Sequence, residues 1–156
     1  MYKRQANLIE ALKRLDSFEL TEVSQSHPIV GNMRWKVEQV LGDVLWKLGR
    51  YQEAYYYYLQ CFPRKPINSD RWPPLLNSLC ALAIEFEDQK QMPDLFKALL
   101  LNHATPLDLY FLRVDQLENQ NRLDEAKQFL QWGMQITSRI KGAPEYEGYQ
   151  ARLLSP

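Results

Sequence analysis

An all-α fold is predicted by three observations. Nearly every segment carries apolar residues at i, i+3, i+4 and i+7, the period of a helix with one buried face. No segment alternates apolar and polar residues between hairpin turns, as a half-buried strand would. Gly49, Pro63, Pro66 and the Asn68-Ser69-Asp70 cluster punctuate the periodic stretches.

The clearest pair of helices spans residues 32–66. Val37, Val40, Leu41, Val44, Leu45 and Leu48 form one apolar stripe, from about Asn32 to Leu48. Gly49 supplies the stop, because a left-handed backbone at a helix end suits glycine. The second helix runs from about Tyr51 to Phe62. Ala54, Tyr55, Tyr58 and Cys61 lie on its inner side, and Pro63 and Pro66 end it. In the run Tyr55-Tyr56-Tyr57-Tyr58 each residue turns by roughly 100°. Tyr55 and Tyr58 are therefore expected to face inward and Tyr56 or Tyr57 to be exposed.

A second pair is expected over residues 70–103. Ser69 or Asp70 is placed to cap its first helix, with Pro73 and Pro74 in the opening turn, where the missing N–H does no harm. Leu75, Leu76, Leu79, Ala83 and Phe86 mark its buried side. Met92 to Leu101 forms the partner helix, with Leu95, Phe96, Leu99 and Leu100 inward. The link Glu87-Asp88-Gln89-Lys90-Gln91 contains no glycine.

The third pair covers residues 105–138. Thr105-Pro106 reads as an N-cap and first-turn proline, with Asp108 near the positive helix end. Tyr110, Val114 and Leu117 are expected to face inward. Asn121-Arg122-Leu123-Asp124-Glu125-Ala126 copies Gly49-Arg50-Tyr51-Gln52-Glu53-Ala54, about two repeat lengths of ~34 residues later. Leu130 takes the role of Tyr58, and Gly133 takes the small position of Cys61. Arg34-Trp35 recurs as Arg71-Trp72. An earlier hairpin is expected over 6–28, and a capping helix or tail over 139–156.

The string Leu41-Gly42-x-x-Leu45-x-x-Leu48-Gly49-x-Tyr51-x-x-Ala54-x-x-x-Tyr58, closing at Pro66, resembles the tetratricopeptide repeat; Leu123, Ala126 and Leu130 repeat part of it. The resemblance covers roughly residues 32–138 and is weak in the second pair. It implies a right-handed α-α superhelix of about three to four hairpins. Small residues at Gly42 and Ala54 would let the paired helices approach, with Leu41, Leu45, Tyr51 and Tyr58 closing the space between them. It also implies that the first helix of each pair lines a concave groove. Projected onto this chain, the groove carries Lys36, Gln39, Asp43, Trp46 and Lys47, then Asn77, Ala81 and Ile84, then Asp108, Phe111, Asp115, Glu118 and Asn119. Asp43 and Asp115 stand where a clamp for a terminal carboxylate would want asparagine or a cation. A basic or amphipathic peptide is the expected guest.

Composition narrows the function further. The 156 residues hold 19 basic and 19 acidic side chains, which argues against nucleic acid as the main partner. No apolar run reaches the roughly 18 residues of a spanning helix, and a cytoplasmic protein is expected. Cys61 and Cys80 read as buried free thiols. His27 and His103 have no metal-ligand spacing, and neither a phosphate loop nor a nucleophile elbow occurs. The expectation is a noncatalytic scaffold without cofactor. The alternatives are a recruitment segment of a larger transferase or signalling ATPase, and a structural module that self-associates through exposed tyrosines. Met1-Tyr2-Lys3-Arg4-Gln5 resembles the in-frame translation of a transposon-end sequencing adapter, so the natural chain is expected to begin upstream.

Overall fold

The computed structural model describes residues 28–63 and 72–155, with residues 28–33 as backbone only. The expected 6–28 hairpin, His27, Pro66, Ser69, Asp70 and Arg71 lie outside these residues. The described chain is all-α, with seven helices packed in sequential pairs. They are α1 (Pro28–Lys47), α2 (Tyr51–Cys61), α3 (Trp72–Phe86), α4 (Met92–Leu101), α5 (Asp108–Asn119), α6 (Leu123–Ile136) and α7 (Tyr146–Tyr149). A π-helical turn, Gln150–Leu154, follows α7 directly. The chain forms two compact units that meet in sequence at Leu75 and Leu76.

In the first unit α1 packs along α2. Helix α1 starts at Pro28, four residues before the expected start at Asn32, because proline is accommodated in a first turn. Leu41, Leu45, Ala54, Tyr58 and Cys61 are almost fully buried between the two helices. A Cβ on Gly42 would lie 2.6 Å from Tyr58 Cε1. That ring cannot swing aside, because its hydroxyl donates to Asp43 Oδ1 at 2.5 Å. The expected close approach at Gly42 is therefore present. Tyr51 departs from expectation: it is 46% exposed and meets the edge of Trp46 instead of the helix–helix core. Leu123, its counterpart, is also exposed. Both sit at the first position of the second helix, at the turn end of the hairpin. Tyr55 and Tyr58 are buried and Tyr56 is exposed, as the 100° rotation requires. Phe62 stacks on Trp72 with ring centres 5.4 Å apart.

The second unit holds the rest of α3 and helices α4 to α7. Leu79, Ala83, Leu95, Phe96, Leu99, Tyr110, Val114, Ala126 and Leu130 form its core. Phe86, expected inward, is half buried at the last turn of α3. In the α5–α6 pair a Cβ on Gly133 would overlap the Tyr110 hydroxyl, which donates to Phe129 O at 2.6 Å. The glycine–tyrosine contact of the first pair thus recurs with partners exchanged: here the tyrosine is on the first helix. Cys61 and Cys80 are buried thiols that donate to Trp35 O and Leu95 O.

Three helix ends share one design. Gly49, Glu87 and Asn121 have φ of 76°, 48° and 58°. After each, the next amide returns to a carbonyl five residues back: Arg50 N–H to Leu45 O, Asp88 N–H to Ala83 O and Arg122 N–H to Leu117 O. The positive-φ residue itself donates three residues back, to Trp46, Ile84 and Glu118. These bonds satisfy carbonyls that a helix end leaves open. Glu87 takes the glycine role in the link that lacks glycine, at a backbone cost of about 1–2 kcal/mol. Its carboxylate then accepts from Gln120 Nε2 (3.0 Å) and Arg122 Nη1 (3.4 Å), which ties the α3–α4 turn to the α5–α6 turn.

Thr105 corrects an expectation. It does not cap α5, whose N-cap is Leu107. Its buried hydroxyl faces the carbonyl oxygens of Leu99 and Asn102 at 2.6 Å each, closing the end of α4.

Candidate functional site

The residues projected onto a groove fall into two groups, one in each unit. In the first, Lys36, Asp43 and Lys47 are exposed along α1 and Trp46 is half buried. Gln39 departs from expectation: it is 6% exposed and faces inward. Arg34 and Glu38 lie in the same buried stretch and form an ion pair at 3.0 Å. Long polar side chains thus occupy part of α1's inner side, which apolar periodicity alone does not reveal.

In the second unit Asn77 is half buried, and its Oδ1 is buried without a hydrogen-bond partner among the described residues. Ala81 is half buried and Ile84 is buried, so neither offers a free surface. Asp108 and Asn119 are exposed at the two ends of α5. Between them Phe111, Asp115 and Glu118 stand at i, i+4 and i+7 on one helix face.

That face is covered by the chain's own C-terminal segment. Phe111 and Tyr149 stack with ring centres 5.0 Å apart and planes 4° from parallel. The Tyr149 hydroxyl donates to Asp115 Oδ1 at 2.7 Å. Arg152 donates from Nε and Nη2 to the two oxygens of Glu118, both at 3.0 Å. Its guanidinium carbon also lies 4.7 Å from the Tyr149 ring centre. Phe111 is therefore 4% exposed and not the open anchor expected of it. Burial, reinforced by the bond to Asp115, raises the Tyr149 pKa well above its ordinary value. The Glu118 bonds hold the Arg152 guanidinium above its own.

A second concavity, of about 300 Å³, was not anticipated from the sequence. Met92, Pro93, Leu117, Phe129 and Trp132 form its apolar walls, while Arg113, Gln89, Glu125 and Gln128 supply polar groups. Phe129 and Trp132 stack with centres 5.7 Å apart. Arg113 is 4% exposed and lies 3.7 Å from Glu87, a carboxylate it shares with Arg122. Burial, then the nearby Arg122 charge, lowers its pKa. The volume is at the lower end for a ligand pocket. The only advance signal was the aromatic pair on α6 at i and i+3.

No group of three or more His, Cys, Asp or Glu side chains placed to hold a metal occurs among the described residues. No described helix is long and apolar enough to cross a membrane. No family model, curated protein or solved structure matches the chain.

Proposed function

We propose that this chain is a noncatalytic protein-interaction module built of hairpins of the tetratricopeptide type, and that it binds a segment of another protein along the faces of its first helices. One observation carries the reading. The α5 face combines an aromatic platform, Phe111, with two acceptors, Asp115 and Glu118, and a peptide segment bearing a ring and a cation already sits on it. Aromatic and arginine anchors of this kind dominate the affinity of protein interfaces. The shared turn design at Gly49, Glu87 and Asn121 supports the hairpin part of the reading. So do the glycine–tyrosine contacts at Gly42 and Gly133.

The test is capture from a library of helical peptides on the immobilised chain. Basic and aromatic sequences are expected to be enriched, and the doubly reversed variant Asp115→Lys, Glu118→Lys is expected to lose them. Equal capture by the reversed and unaltered chains removes the assignment of this face.

A further inference from the structure

Resting on that reading, we infer that the α5 face recognises a helical segment with an aromatic residue followed three positions later by arginine, and that residues Tyr149-Gln150-Ala151-Arg152 are a built-in stand-in for the partner's segment. The chemistry is set by three residues one turn apart. Phe111 offers a flat apolar surface that a ring covers in parallel. Asp115 accepts a hydroxyl from that ring, so tyrosine is preferred over phenylalanine at the first position. Glu118 receives both arms of a guanidinium, a geometry that lysine cannot reproduce. An i, i+3 spacing places ring and guanidinium on one side of the incoming helix, as in the cation–ring contact of Arg152 with Tyr149.

The built-in segment is suited to displacement. Its helix α7 has four residues, and the turn after it is π-helical, so little of its order comes from its own backbone. It buries Tyr149 and Leu153, whereas Gln150, Ala151 and Arg152 remain exposed. Few buried contacts mean a low local opening free energy. A longer partner helix with the same two anchors gains additional contacts along α5, towards the exposed Asp108 and Asn119.

The test uses the whole chain and a fluorescein-labelled peptide with the sequence of residues 145–155, followed by anisotropy. Wild type is expected to bind weakly, because its own segment holds the face. Arg152→Glu is expected to bind at least about tenfold more tightly, since the fraction of chains with a free face rises. The Arg152 side chain is 51% exposed, so this change leaves the core intact, and a circular-dichroism melt verifies the fold. Tyr149→Ala is a second release variant and is expected to behave alike. Adding Glu118→Gln to Arg152→Glu, which removes the acceptor for the peptide's guanidinium without re-forming a charge pair to residue 152, should abolish the gain. Equal affinity of the peptide for folded wild type and folded Arg152→Glu overturns the inference. A panel of unrelated helical peptides separates the two levels. Panel binding that Glu118→Gln removes, with no binding of the Tyr-x-x-Arg peptide, overturns this specificity and leaves the interaction reading standing. Absence of all binding removes both.

Discussion

Gly42 and Gly49 lie seven residues apart and are required for different reasons. At Gly42 the backbone is helical, and a methyl group would meet a tyrosine ring whose hydroxyl is held by Asp43. At Gly49 nothing lies within 4 Å of an added Cβ, but φ is +76°. Gly42→Ala is therefore expected to cost about 1–3 kcal/mol through overpacking. Gly49→Ala should cost about 1–2 kcal/mol through backbone strain alone. Combining Gly42→Ala with Tyr58→Leu should recover part of the first loss, whereas Tyr58→Leu should do nothing for Gly49→Ala. Urea melts of the four variants check this; a rescue of Gly49→Ala would contradict it. Both glycines were legible as special positions in the sequence. So was the kind of constraint each answers to, a left-handed helix end at Gly49 and close helix approach at Gly42; only the folded pair decided that the group a methyl at Gly42 would meet is a Tyr58 ring held by Asp43.

At the level of the elements, helix ends carry much of the specification. Helix α4 ends in the apolar run Leu99-Leu100-Leu101, with no glycine after it and no cation in its last turn. Arg139, beyond the end of α6, closes that end. Its Nη1 donates to Leu100 O and Asn102 O at 3.0 Å each, and its Nη2 donates to Thr105 O. Partial burial lowers the Arg139 pKa. Arg139→Met is expected to destabilise the chain by about 1–3 kcal/mol, the cost of leaving partly buried carbonyls unpaired. Arg139→Lys should recover little, since the ammonium carries its donors on one nitrogen and cannot span the carbonyls that Nη1 and Nη2 reach separately. Thermal melts measure both, and a wild-type midpoint for Arg139→Met would contradict the assignment. Sequence periodicity located α4 but gave no hint of this closure, which joins residues far apart in the chain. For the same reason Thr105 read as a cap for the helix after it, when it serves the helix before it.

For the molecule as a whole, stability should depend on pH in a definite direction. Burial raises the Tyr110 pKa from its ordinary value of 10.0. The folded chain thus keeps the phenol protonated where the unfolded chain would release its proton. The contribution is complete below pH 10 and is lost as pH rises beyond it. Tyr149 is shifted in the same direction and adds to the loss. Wild type is expected to weaken above that pH more steeply than Tyr110→Phe. At neutral pH the variant should be only about 1 kcal/mol less stable, having lost the bond to Phe129 O. Urea midpoints between pH 7 and 11 decide it. Parallel alkaline limbs would mean that Tyr110 does not carry the dependence.

The sequence by itself determined the helical class, the pairing of adjacent helices, the inward tyrosines of α2 and the i, i+4, i+7 face of Phe111, Asp115 and Glu118. These follow from short-range period and from turn residues, which act within a few positions along the chain. Tertiary structure alone decided that Gln39 turns inward, that Glu87 adopts the left-handed backbone without glycine, and that Arg139 closes α4. It alone brought Tyr149 and Arg152 onto the α5 face. Each of these depends on a partner that the local pattern does not encode, because contacts between distant segments are selected by the packing of complete helices.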